Sequence, residues 1–139
     1  MDLKENPGFL ITRLARTMTN AISHRFEPYG VTSSQWSIIK VLKFREGLSQ
    51  VEIQELLDLE GATVSGLVQR LVRQGLLERS ADPLDKRVIR VSLTQRGREL
   101  EQVLTPLSIE VLNQTFKGFT PDEQEFFIRL LKRAQSNFE

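Results

Sequence analysis

The chain of 139 residues has no cysteine and only one histidine, one tryptophan and one tyrosine. Without cysteine it carries no disulfide, no thiolate metal ligand, no thiol nucleophile and no thiol redox sensor. A lone imidazole, His24, argues against a histidine-rich metal cluster. No apolar run approaches the ~20 residues of a membrane-spanning helix. The opening "MDLKENPGFL" lacks the basic-then-apolar pattern of a secretory leader, so a cytoplasmic location is expected. Enzyme motifs are also missing: there is no HExxH, no phosphate-binding loop, no nucleophile elbow and no dinucleotide fingerprint. No cofactor and no metal is expected, and a small enzyme has no catalytic constellation to support it.

Net charge is close to zero, formally +1, but it is unevenly spread. Between Gly66 and Arg98 eight basic side chains face three acidic ones, which makes this segment +5 and the remainder −4. A basic segment on a near-neutral protein suits an anionic partner met by one face. The plainer alternative is a solvated charged surface.

Hydrophobic spacing gives the elements. Leu10, Ile11, Leu14, Met18, Ile22 and Phe26 recur at helical intervals after Pro7. Thr32 with Gln35, Ser49 with Glu52, and Thr120 with Glu123 each form a capping box that starts a helix. Val64, Leu67, Val68 and Leu71 mark the buried face of a helix ending at Gly75. It follows a short helix across a tight turn, a helix-turn-helix pattern. Leu76–Ser80 and Val88–Leu93 then alternate as antiparallel strands, with Asp82 and Pro83 favouring the turn between them. Thr94 caps a helix from Gln95 to about Phe116, with a kink expected at Pro106. The fold class is mainly α, an α+β winged helix: a helix-turn-helix plus a two-stranded wing, flanked by terminal helices. The expected division is 1–32 for the N-terminal helix, 33–94 for the winged-helix lobe and 95–139 for the C-terminal helices.

The outward face of the Thr63–Gln74 helix carries Thr63, Ser65, Gly66, Gln69, Arg70 and Arg73. Short polar groups come first and arginines later. That order suits a helix entering the major groove N-terminus first, with hydrogen-bonding groups at base edges and cations at phosphates. Gln69 can bond adenine with both ends of its amide, whereas Ser65 and Thr63 are less selective. Ser49 and Ala62, at the starts of the two helices, complete this candidate set. A mid-helix glycine costs about 1 kcal/mol relative to alanine. Gly66 either lets a DNA backbone approach closely or is simply tolerated. At the hairpin tip, Lys86 and Arg87 are placed to enter a minor groove, while Asp82 and Asp85 are expected to pair with nearby arginines and hold the loop.

The runs "GVTSSQWSIIKVL" and "ATVSGLVQRLVRQGLLERSADPLDKRVIRVSLTQRG" resemble the MarR family of bacterial transcription regulators across essentially the whole chain. The family's wing pattern, D-x-R-D-x-R followed by L-T-x-x-G, is met by Asp82, Asp85, Arg87, Leu93, Thr94 and Gly97. Leu84 stands where the first arginine is usual, and Gly66 where a larger side chain is common. The resemblance implies a homodimer with intertwined terminal helices and two wings gripping palindromic double-stranded DNA. It also implies a pocket between the dimer helices and the DNA-binding lobe for aromatic or lipophilic small molecules. In that location Tyr29 and Trp36 are the candidate lining residues, with Arg16 or His24 as carboxylate partners, although Trp36 is equally suited to plain core. Peroxide-sensing relatives use a cysteine and zinc-sensing ones use histidine clusters, and this chain has neither. The expected function is a DNA-binding regulator, a repressor rather than an activator. The alternatives are a ligand-independent regulator or a winged helix that binds protein.

Overall fold

The computed structural model describes residues 2–139. After a 3-10 turn at Leu3–Glu5 the elements run α1 (Pro7–Phe26), α2 (Ser33–Phe44), β1 (Leu48–Ser49), α3 (Gln50–Leu57), α4 (Gly61–Arg73), β2 (Leu77–Ala81), β3 (Ile89–Leu93), α5 (Gln95–Thr115) and α6 (Pro121–Ser136). The three capping boxes form as the residue pairs dictate: each Thr or Ser hydroxyl accepts the third backbone N–H, and each Gln or Glu reaches back to the cap. Asp58 ends α3 in the left-handed region, φ 52°, and turns the chain sharply into α4.

The sheet is where the structure adds to the two-stranded wing. It has three antiparallel strands in the order β1-β3-β2, with Leu48 opposite Val91 and Leu77 opposite Leu93. β1 is only two residues long and runs directly into the α3 cap, so no alternation betrays it. β2 lies one residue later than its sequence boundaries, at Leu77–Ala81, and β3 starts one residue later with the same end, Ile89–Leu93.

One core unites the lobe. Trp36, Ile39 and Leu42 of α2, Ile53 of α3, Val64, Val68 and Leu71 of α4, and Leu77, Val91 and Leu93 of the sheet bury against one another. Phe26 and Leu104 bring α1 and α5 onto it, and the Phe26 ring meets Trp36 edge-on at 5.3 Å. Two ion pairs tie the lobe to α5. Lys43 Nζ lies 2.7 Å from Glu101 Oε1, and Arg98 Nη2 lies 3.1 Å from Glu46 Oε1. Glu101 is buried, and Thr105 Oγ1 donates to the same carboxylate oxygen.

The turn that follows α4 is bonded to the start of α5. Thr94 Oγ1 donates to Gly75 O at 2.6 Å and accepts the Gly97 N–H at 3.0 Å, while Thr94 N–H donates to Leu76 O. At Gly97 an added Cβ would stand 2.2 Å from Leu76 O, so this close approach admits glycine alone. The Leu93, Thr94 and Gly97 pattern is therefore the chemistry of one joint. α5 continues as helix through Pro106.

The terminal helices bury little within their own chain. Of the α1 stripe only Phe26 is buried, and Leu10, Ile11 and Leu14 are exposed. No side chain of α6 is buried. Phe116, Phe119 and Phe127 stack edge-to-face at 5.3–5.9 Å and hold the α5–α6 turn.

Candidate nucleic-acid interface

α4 buries Val64, Leu67, Val68 and Leu71 and turns its other face outward. Ala62, Thr63, Ser65, Gln69, Arg70 and Arg73 are exposed there and Gly66 is half-buried. The helix begins at Gly61, two residues before Thr63, which puts Ala62 and Thr63 in its first turn. Its cap residue Glu60 makes no side-chain capping bond, unlike the caps of α1, α2, α3, α5 and α6. First-turn N–H groups left open in this way, at the positive end of a helix dipole, favour an anion. Arg70 and Arg73 make no ion pair among the described residues. Ser49 is half-buried, and its hydroxyl accepts the Glu52 N–H as the cap of α3.

The hairpin tip is held by its own acids. Asp82 is nearly buried. Its Oδ1 accepts the N–H groups of Leu84 at 2.7 Å and Asp85 at 3.2 Å, and its Oδ2 takes the Arg90 Nε–H. Asp85 accepts two guanidinium bonds from Arg87, at 3.0 and 3.2 Å, and the Arg87 backbone N–H. The Leu84 N–H and the Arg90 guanidinium hold the Asp82 carboxyl below the usual carboxylate range. The Arg87 side chain, then its N–H, does the same for Asp85. The loop acids are thus spent on shaping the loop, and Lys86 and Arg87 project into solvent.

Arg90 is the site residue that sequence reasoning counted only as charge. It lies in β3 opposite Ser80 of β2 and Ser49 of β1. Besides Asp82, its Nη1 donates to Gly47 O at 2.8 Å and to Glu52 Oε1 at 3.3 Å. Glu52 is itself the capping partner of Ser49, whose backbone N–H is the main cause of that carboxyl's lowered pKa. One guanidinium therefore links the hairpin turn to the start of α3. The available signal was an arginine within an alternating strand, eight residues from an Asp-Pro turn.

The four candidate ligand residues do not share a cavity. Trp36 is core at 3% exposure, and its Nε1 has no hydrogen-bond partner among the described residues. Arg16 and His24 are exposed on α1, with His24 Nδ1 3.8 Å from Glu27. Tyr29 lines a cleft of about 450 Å³ with Gln74, Leu76, Arg96, Glu99, Leu100 and Val103. Gln74 there accepts from the buried Gln35 and donates to Gly30 O. A larger apolar groove, about 610 Å³, runs between α1, α5 and α6 and is lined by Leu10, Leu14, Met18, Leu112, Phe127 and Leu131 among others.

A helix-turn-helix whose second helix shows a polar-then-basic face, beside a basic hairpin on a three-stranded sheet, defines a winged-helix DNA-binding protein. The MarR family model matches residues 29–88. The chain is 31% identical over 106 residues to the uncharacterized HTH-type transcriptional regulator YkoM of Bacillus subtilis (strain 168), covering 76% of this chain and 69% of that one. The solved structure of BpsR from Bordetella bronchiseptica, whose DNA binding is regulated by 6-hydroxynicotinic acid, superposes with a TM-score of 0.89 at 27% identity, covering 97% and 96% of the two chains. PcaV from Streptomyces coelicolor, solved with its natural ligand, superposes with a TM-score of 0.87 at 27% identity over 100% and 98%. The chain belongs to the MarR family and is a winged-helix DNA-binding transcriptional regulator. Among the described residues no helix is long and apolar enough to cross a membrane.

Proposed function

We propose that the protein is a cytoplasmic homodimeric repressor that grips a palindromic operator with two copies of α4 and two hairpin wings. The observation that carries this reading is the outward face of α4: small and polar over its first turns, arginine beyond, and open at its N-terminal N–H groups. Gln69 reads a base edge, Thr63 and Ser65 touch bases or sugars, and Arg70 and Arg73 take phosphates. Lys86 and Arg87 enter the minor groove beside it. Dimerisation is supported by the apolar side chains that the terminal helices leave exposed, Leu10, Ile11, Leu14, Leu112, Phe126 and Leu131 among them.

Release by a small aromatic or lipophilic molecule is the regulation we infer, with Tyr29 and Arg96 in the 450 Å³ cleft offering a ring contact and a cation. BpsR and PcaV support this as ligand-binding relatives. A ligand-independent regulator is the second reading, favoured by the separation of Arg16, His24, Tyr29 and Trp36.

DNA footprinting on the segment flanking its own gene, with and without a panel of aromatic acids, tests both. The reading expects a symmetric footprint. Within it, Arg73→Ala weakens all sequences alike, and Gln69→Ala costs roughly 1–3 kcal/mol at one base pair. Uniform loss by both variants would remove Gln69 as a reader. A footprint unmoved by every acid would leave the second reading.

A further inference from the structure

Leu84 is 98% exposed, at the tip of a loop that is otherwise tightly bonded to itself. Its own N–H is bound by Asp82, the next N–H is bound by the same oxygen, and the loop is closed below by Asp82 N–H to Val88 O and Val88 N–H to Asp85 O. The leucine is therefore neither packed nor loose: it is presented at a fixed place. A large apolar side chain wholly in water gains nothing for the fold. Its neighbours narrow the choice of partner. Both loop carboxylates are turned onto the loop's own N–H groups and arginines, and Lys86 and Arg87 stand exposed beside the tip. An apolar tip collared by cations, with its acids turned inward, fits a narrow anionic channel with apolar walls. The minor groove at A·T steps is such a channel, because its floor lacks the guanine 2-amino group and its walls are deoxyribose C–H. Leucine is also among the apolar side chains that proteins insert into minor grooves.

We propose that Leu84 is a specificity-determining contact in the operator minor groove, packing against an A·T step while Lys86 and Arg87 bind the flanking phosphates and groove edges. The inference rests on the reading of the hairpin as a DNA-facing wing. It differs from an all-cationic wing in kind, since a contact of this sort discriminates by shape and carries no salt dependence of its own.

Fluorescence anisotropy on a duplex carrying the footprinted segment tests it, with Leu84→Ala, Lys86→Ala and Arg87→Ala read in parallel. Leu84→Ala is expected to weaken binding roughly tenfold, with the log–log salt slope unchanged, whereas each cation removed flattens the slope by about 0.9. Replacing adenine by 2,6-diaminopurine at the wing step adds a minor-groove amino group and leaves major-groove contacts in place. It should weaken the wild-type protein markedly more than Leu84→Ala. Wild-type affinity for Leu84→Ala, with Arg87→Ala impaired, overturns the inference and leaves the wing reading standing. Equal loss by Leu84→Ala on natural and diaminopurine duplexes also overturns it. If all three variants bind as wild type, the wing reading itself falls and takes the inference with it. Leu84 touches no core residue, so the melting temperature of Leu84→Ala should match the wild type and exclude a folding defect.

Discussion

The Arg90 guanidinium and the Asp82 carboxylate, eight residues apart on the two arms of the hairpin, are bonded to each other, and both reach further. Asp82 organises the turn beneath Leu84, and Arg90 anchors that turn to Gly47 and Glu52 at the start of α3. One planar guanidinium fork thus ties the wing turn to the start of α3, in addition to the pairing of β1 with β3.

Arg90→Ala is expected to weaken operator binding roughly tenfold, the loss of about one good contact, without touching DNA itself. Arg90→Lys keeps the charge and loses the fork, so it should recover only part of the affinity. Anisotropy gives the affinities, and amide exchange at Leu84 and Asp85 should quicken in both variants. Unchanged exchange with unchanged affinity would deny Arg90 this positioning role.

Gly66 should respond with opposite signs in two assays. Its backbone is helical, and among the described residues nothing lies within 4 Å of where a Cβ would sit. Gly66→Ala should therefore stabilise the fold by up to about 1 kcal/mol. If the bare backbone faces DNA closely, the same change weakens operator binding. Calorimetric melting and anisotropy together decide it: a higher melting temperature with unaltered affinity would mean the glycine is only tolerated.

Leu14→Glu or Phe127→Glu places an unpaired charge in the groove between α1, α5 and α6. Each should raise the dimer dissociation constant by at least roughly a hundredfold, the cost of burying an uncompensated carboxylate. Sedimentation at micromolar concentration should show a dimer for the wild type and monomer for either variant. A wild-type monomer would end the dimer reading.

The lowered carboxyls contribute to acid sensitivity. Asp82, Asp85 and Glu52 bind protons less readily in the folded chain than when unfolded. Their bonds thus contribute fully above the ordinary carboxylate range and are lost as pH falls through the lower folded values. Melting temperature should be flat from about pH 8 to 5 and drop below about pH 4. Asp82→Asn should flatten that drop, and an equally steep drop in the variant would put the acid sensitivity elsewhere.

What the sequence disclosed depended on range. Thr32 with Gln35, Ser49 with Glu52, and Thr120 with Glu123 act within one turn, so their spacing is their geometry. β1 was invisible because two residues cannot show a period, and its pairing partner Val91 lies more than forty residues on. The sequence places the start of α4 at Thr63, two residues later than Gly61, because Glu60 caps the helix without using its side chain. Arg90 was legible as a charge and not as a linker, since its partners come from the hairpin turn, the β1 approach and α3. The acid–arginine pairing of the wing was legible in outline, from opposite charges crowded around an Asp-Pro turn.

The Thr94 joint couples the start of α5 to the turn that follows α4. With Gly97 pressed against Leu76 O and the Thr94 hydroxyl on Gly75 O, the first turn of α5 has no room to slide on the Gly75–Leu76 turn. A tilt of α5 therefore bears on Gly75 and Leu76, just beyond the last residue of α4. α4 has 13 residues and is about 20 Å long, so a tilt of roughly 5° displaces its far end, where Ala62 and Thr63 sit, by about 2 Å. That distance exceeds the tolerance of a hydrogen bond. A small movement of α5 carried through this joint would thereby shift the outward face of α4, with no unfolding and no rearrangement inside the lobe.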